Sequence, residues 1–399
     1  MKLIHTSDWH LGQNFFEYDR KTDHDSMVGQ LAELIRDEEP DALIIAGDVY
    51  DIAAPNTTVQ KEFAEYIVKL HDACPSMTIV CISGNHDSAS RHEIHQTPWE
   101  ALNVHMIGKV DFENLENNII PIKGKGWAVA VPYTNERFLN DNFYTSLEQK
   151  VKEVTGEHLP VVYVGHAAIT GRDFTGHHTQ GERFIGGIEC TGIDEIGATY
   201  DYIALGHIHK AQTFDNGRAR YCGSPLPVSF DEVKSGYEHG FSVVEIASHG
   251  STPTIRTHEV ECLHPLINIP SEGYSEWDDA MKELQNYPAD IEAYIRLNIL
   301  LKDNNLLPHD KAIQVANRLS GKKARHANTN TTREIKETEG AAADARPSLT
   351  MEELQNIDPK SILKSHAAAT GREFTAEFDE LFDIVFKNIN GTDHENQKA

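Results

Sequence analysis

Five short polar clusters in the first half of this chain carry the residue types that bind divalent cations. They are Asp8 and His10 in HTSDWHLG, Asp48 in IIAGDVYD, Asn85 and His86 in ISGNHDS, His166 in YVGHAAITG, and His207 and His209 in ALGHIHKA. Two carboxylates, one amide oxygen and four or five imidazoles form a mixed N/O donor set suited to Mn²⁺, Zn²⁺, Fe²⁺ or Co²⁺. That is more than one ion needs. Two ions about 3.5–4 Å apart and sharing a carboxylate would use the whole set. Asp48 is the natural shared ligand, because it is the lone donor directly after its strand and glycine. Asp8 and His10 stand two residues apart, so in extended backbone their side chains point the same way and can grip one ion. His207 and His209 have the same relation and can reach that ion or its neighbour.

His86 has a different use. Next to Asn85 in extended backbone it points away from its neighbour, and a histidine near a scissile phosphate can protonate the leaving oxygen. Asp87 is expected to orient or pair with it, as carboxylates do for imidazoles in metal sites. Taken singly, each residue has an ordinary reading. A histidine after a strand is usually hydrogen-bonded or on the surface, Asp48 would cap the next helix, Asn85 would shape a turn, and Asp87 would cap one. The coincidence at five strand ends favours the metal centre.

Short apolar segments place these clusters. KLIH, DALIIAGD, MTIVCISGNHD, NVHMIG, WAVAVPY, PVVYVGH, YIALGHIH, ARYCGSP and GFSVVEI all read as strands. Between the first two, Met27, Leu31, Leu34 and Ile35 recur with helical spacing, and between the next two so do Val59, Phe63, Tyr66, Ile67 and Leu70. Strand–helix–strand order predicts a layered α/β fold, and the thinning of helices further along predicts two mixed sheets. Ligands in such folds sit beyond the carboxyl ends of the strands. Gly47, Gly84, Gly165 and Gly206 each precede a cluster, where close backbone approach or an unusual turn is needed.

Bulk properties bound the rest. The chain has 399 residues, 39% of them hydrophobic, and a net charge of −26. Such a surface repels phosphate backbones, so a nucleic-acid substrate would need bound metal, a local basic patch or a partner. Cys74, Cys81, Cys190, Cys222 and Cys262 show no paired spacing, which argues against a disulfide framework or a zinc–thiolate site. A strand pattern starts almost at Met1, and no apolar run approaches 18 residues. Neither a signal peptide nor a membrane span is expected, and a reducing cytoplasmic setting is.

Composition divides the chain into 1–255, carrying the clusters; 256–320, a small α+β domain with an amphipathic pattern at Trp277, Met281, Leu284 and Tyr287; 321–348, a polar linker; and 349–399. In the last part Phe374, Phe378, Leu381, Phe382, Val385, Phe386 and Ile389 form a strongly apolar helical face, suited to its own domain or to a partner's groove. HAAITGRDFTG at 166–176 is echoed by HAAATGREFTA at 366–376. His366 has no preceding strand like VVYVG, so His166 is kept as the ligand.

DWH, GDVYD, GNHD, GH and GHIH resemble the motifs of the calcineurin-like metallophosphoesterases. IHTSDWHLG, AGDVYD, SGNHDS, LGHIHK and YCGSP resemble in particular the SbcD/Mre-type DNA-repair nuclease subunits within that superfamily. The similarity is strong over residues 1 to about 250. It implies a four-layer α/β sandwich, two mixed β-sheets flanked by helices, followed by a small capping domain and a C-terminal helical tail. It implies one metal on Asp8, His10, Asp48 and His209, a second on Asp48, Asn85, His166 and His207, Mn²⁺ as the ion, and His86 as the acid. It further implies 3′→5′ exonuclease action on double-stranded DNA and endonucleolytic opening of hairpins. The implied partners are a second copy of the chain and an SbcC-type SMC-like ATPase in a two-plus-two complex, bound through the apolar tail. Small phosphate mono- or diesters are the alternative substrates.

Overall fold

The computed structural model describes residues 1–333, apart from 95, 136, 137, 140, 141, 157, 174–190, 234–236 and 303–305. The apolar tail residues Phe374 to Ile389, His366 and the remainder of 334–399 lie outside the described residues. Two six-stranded sheets form the body. In the first, the order is Thr254–Glu259, Gly240–Glu245, Lys2–Thr6, Ala42–Ala46, Thr78–Ile82 and Val104–Ile107. In the second it is Gln212–Phe214, Ala219–Tyr221, Tyr202–Gly206, Val161–His166, Gly126–Val131 and Ile119–Ile122. Both are mixed: the central strands run parallel and antiparallel pairs lie towards the edges.

The strands that feed the Asp48, Asn85, His166 and His207 clusters are buried along their whole length, as parallel strands covered on both faces must be. Alternate residues serve two cores. Leu3, Ile44, Val80, Val164 and Ala204 face the layer between the sheets. Ile4, Leu43 and Ile45 face outward, against helices Lys21–Glu38 and Thr57–Ala73. The second sheet is covered by Phe143–Thr155, through Phe143, Leu147 and Val151. The result is a helix–sheet–sheet–helix stack with the parallel strand ends at a common edge.

A third sheet of Leu266–Ile269, Tyr294–Leu301 and Arg325–Arg333, all parallel, is linked by helices Trp277–Asn286 and Lys311–Leu319. Met281, Leu284, Ile295, Leu297 and Val315 give it a core of its own. Two composition-based limits shift. Thr254–Glu259 belongs to the first sheet, so a boundary at 255/256 would cut a strand. The start of the expected 321–348 linker is an edge strand, Arg325–Arg333, paired along its length with Tyr294–Leu301. Its polar sequence hides it, because the strand is at most half-buried and backbone pairing rather than apolar alternation holds it. Among the described residues no helix is long and apolar enough to cross a membrane.

Candidate metal centre

The sheet edge gathers every cluster. Asp8 and His10 follow Lys2–Thr6, Asp48 follows Ala42–Ala46, and Asn85 and His86 follow Thr78–Ile82. From the second sheet come His166, the last residue of its strand, and His207 and His209 just after Tyr202–Gly206. The donor atoms of Asp8, His10 and His209 lie within 4.8 Å of one another, and so do those of Asp48, His166 and His207. The two groups abut: the His207 N–H donates to both Asp8 carboxylate oxygens, at 3.1 and 3.2 Å.

The convergence does not come from strand alternation. Asp8, His10, Asp48 and His207 have φ of 54°, 48°, 49° and 97°, in the left-handed region that side chains other than glycine rarely occupy. Strain of this kind persists where surrounding structure over-determines it. Here the segments after two strands are zipped together, with the Asp8 N–H on Gly47 O, His10 N–H on Asp48 O and Leu11 N–H on Val49 O, at 3.0, 3.2 and 2.9 Å. Trp9, buried between them, donates to Thr6 Oγ1 and anchors the turn. Gly47, at φ +90°, has no room for a side chain, since a Cβ there would run into His166 Nδ1 and sit 2.9 Å from Gly84 Cα.

The chemistry of the second group suits a cation. His166 Nδ1 lies 2.8 Å from the Ala46 carbonyl and must carry a hydrogen to donate to it. In the neutral ring Nε2 is then a lone pair, yet it faces Asp48 Oδ2 at 3.3 Å and Asn85 Oδ1 at 3.0 Å. Three acceptors converge, an arrangement that a proton or a metal ion among them satisfies. In the metal-free chain the proton takes that place. Burial works against charge on His166, but the Asp48 carboxylate outweighs it and pushes the imidazole up to about 9. Burial would likewise raise Asp48, yet the surrounding His166, His10 and His86 rings hold it well below the usual carboxylate range. His207 is driven down to about 3 by burial and by His166 beside it, so it presents a neutral ring.

In the first group, His10 Nε2 and His209 Nε2 face each other at 3.2 Å. His209 Nδ1 is held at 2.9 Å by Glu232 Oε1. Burial opposes charge on His209, and Glu232 more than offsets it, pushing the ring up to about 9. Glu232 is itself buried and accepts from Val228 N–H at 2.9 Å. A carboxylate behind a ligating histidine fixes its tautomer and raises its basicity. Sequence reading passes over Glu232; an acid in SFDEV, shortly after YCGSP, is the available signal.

His86 is poised at the mouth. Its Nδ1 bonds the Asp51 carbonyl at 2.8 Å, its N–H donates to Asp48 Oδ1 at 2.9 Å, and its ring stands 4.9 Å from that of His10. The expected role of Asp87 needs correction. Its carboxylate accepts from the backbone N–H groups of Gly84, Val49 and Tyr50 at 2.8, 3.1 and 2.9 Å, clasping the two loops together, while His86 is oriented by Asp51 instead. A cleft of about 650 Å³ opens over His10, Asn85, His86 and His209, with the third sheet contributing Arg296 and Asn328 to its wall.

Comparison with known proteins agrees with this geometry. A family model described as calcineurin-like phosphoesterase matches residues 1–211. The SbcD subunit of the SbcCD nuclease of Rhodobacter capsulatus is 28% identical over 302 residues, covering 68% of this chain and 72% of that protein. The protein of the same description from Escherichia coli K12 is 28% identical over 314 residues, 71% of this chain and 76% of its own. That from Bacillus subtilis is 29% identical over 329 residues, with 76% and 81% covered.

Proposed function

Since this chain belongs to the calcineurin-like phosphoesterase family, we propose that it is the nuclease subunit of an SbcCD-type complex, cleaving duplex DNA from 3′ ends and opening hairpins. The observation that carries the hydrolytic part is the pair of abutting donor groups beneath an open cleft with His86 at its mouth. The relatives' names support the DNA part.

Asp8, His10 and His209 would hold one ion and Asn85, His166 and His207 the other, with Asp48 available to both. Two such ions, Mn²⁺ in this reading, would supply charge to neutralise the phosphodiester and a nucleophile at neutral pH. The protein's own residues do the rest. The Asp51 carbonyl keeps a hydrogen on His86 Nδ1, which leaves Nε2 as the atom that exchanges a proton; an acid there would hand that proton to the departing 3′ oxygen. The cleft wall orients the strand, and the third sheet acts as a cap. The net charge of −26 means that this chain alone grips DNA weakly. An SMC-like ATPase, bound in a two-plus-two assembly through the apolar face from Phe374 to Ile389, supplies the remaining surface, in the cytoplasm on chromosomal DNA.

The test is a substrate panel on the full chain with Mn²⁺, Mg²⁺ or chelator. Manganese-dependent shortening of end-labelled duplex, with p-nitrophenyl phosphate turned over poorly, is expected. Rapid hydrolysis of the small ester beside intact duplex, with and without an SbcC-type ATPase, would replace this reading with a small-ester phosphatase.

A further inference from the structure

The side chain that holds His209 does not stand alone. Glu232 ends a short turn, Phe230–Glu232, that forms one wall of the cleft. That turn is gripped by the third sheet, which lines the same cleft through Arg296. Arg296 Nη2 pairs with Asp231 Oδ1 at 3.2 Å, and its guanidinium lies 5.0 Å from the centre of the Phe230 ring. Arg296 Nε donates to Asn268 Oδ1 at 2.8 Å, and Asn268 Nδ2 reaches the Phe230 carbonyl at 3.4 Å. Asn268 and Arg296 are register partners on adjacent strands, so they move as one body. Phe230 is buried and packs on Phe15 and Tyr294, which leaves the turn little freedom to shift independently.

We propose that Arg296 is a positioning residue that sets His209 through the Phe230–Glu232 turn, so that whatever engages the third sheet retunes the metal centre. The claim rests on reading His209 as a metal ligand. A planar guanidinium forked between Asn268 and Asp231 fixes the turn's angle, and the turn's angle aims the Glu232 carboxylate at His209 Nδ1. Metal affinity at the Asp8–His10–His209 group then depends on a side chain that touches none of its ligands. By linkage, filling that group must tighten the grip of the third sheet by the same factor. A polyanion that draws Arg296 away would loosen the His209 ion, which gives substrate loading a route to the metal.

A double-mutant cycle on the full chain, read by Co²⁺ titration with d–d absorption as the reporter of coordination, tests this. Glu232→Gln alone should weaken Co²⁺ binding by about 10–100-fold. Arg296→Met, which keeps the stem over Phe230, should weaken it by about threefold or more. In the Glu232→Gln background Arg296→Met should change nothing further; with Glu232 intact, Arg296→Lys should lose less affinity than Arg296→Met. Affinity for Arg296→Met equal to that of the parent, or an equal loss in both backgrounds, would overturn the relay. Should Arg296→Met fail to fold, Asp231→Asn cuts the same link from the other side and is read identically. Co²⁺ binding that ignores Arg296 in a chain that still cuts DNA defeats the relay alone. Failure of the parent to bind Co²⁺ defeats it together with the metal centre.

Discussion

The two donor groups sit side by side but are held by different means. In the second group Asp48 and His166 are fixed by main chain: the Ala46 carbonyl behind His166, the His86 N–H on Asp48, and a glycine packed against the His166 ring; His207 Nδ1 rests on the Asn85 side chain at 3.0 Å. In the first group side chains contribute more: Ser7 Oγ donates to Asp8 at 2.5 Å beside the His207 N–H, Asp51 lies 3.3 Å from His10 Nδ1, and Glu232 holds His209. Main chain at the end of a fully buried strand cannot move without disturbing the core. A carboxylate on a short turn can. The second group is therefore the rigid half of the centre and the first is the adjustable half, adjacent to the third sheet.

Breaking the rigid half should do most damage. Asp48→Asn removes the shared carboxylate, and metal analysis of the purified variant should show the loss of at least one ion per chain; retention of both would refute the sharing. Gly47→Ala should cost roughly 3 kcal/mol of folding stability, because a left-handed backbone and a side chain against His166 add together. Denaturant unfolding measures it, and a change under about 1 kcal/mol would contradict the packing. Damage to the adjustable half should be milder for the fold. Glu232→Gln should lower metal affinity while leaving the denaturation midpoint of the metal-free chain nearer the parent's than Gly47→Ala does.

A further effect is graded by pH and leaves the chain itself unaltered. His166 and His209 are both raised to about 9 in the metal-free chain, so at neutral pH each holds a proton that the metal must displace. Apparent affinity should rise from about pH 6.5 towards 9, by up to about tenfold per unit for each proton released, and level off above it. Isothermal titration in buffers of different ionisation enthalpy reads the protons directly. A flat profile across that window would show that neither ring is protonated before metal arrives.

Much of this is legible in the sequence, for reasons that differ by residue. The candidate donors stand out because polar groups follow five apolar strands, and the structure brings them to one sheet edge. The helix faces at Met27–Ile35 and Val59–Leu70 follow from 3.6-residue spacing and are buried as expected. The way Asp8 and His10 converge is not legible, since their left-handed backbone is imposed by contacts with Gly47 and Asp48 rather than by local preference. Asp87 is misplaced by sequence because a carboxylate beside a histidine and one that clasps two loops look alike there. Glu232 lies 23 residues from the ring it holds, and no spacing rule links them. Arg325–Arg333 escapes because a polar edge strand lacks the apolar alternation by which strands are read.

The most direct test of the central claim, that metal binding and proton delivery belong to separate residues, is His86→Gln assayed for both metal content and digestion of end-labelled duplex with Mn²⁺. Parent-like metal content with cleavage slowed by about 10²–10⁴-fold is the predicted result. A variant that keeps full cleavage, or one that loses its metal, would contradict it.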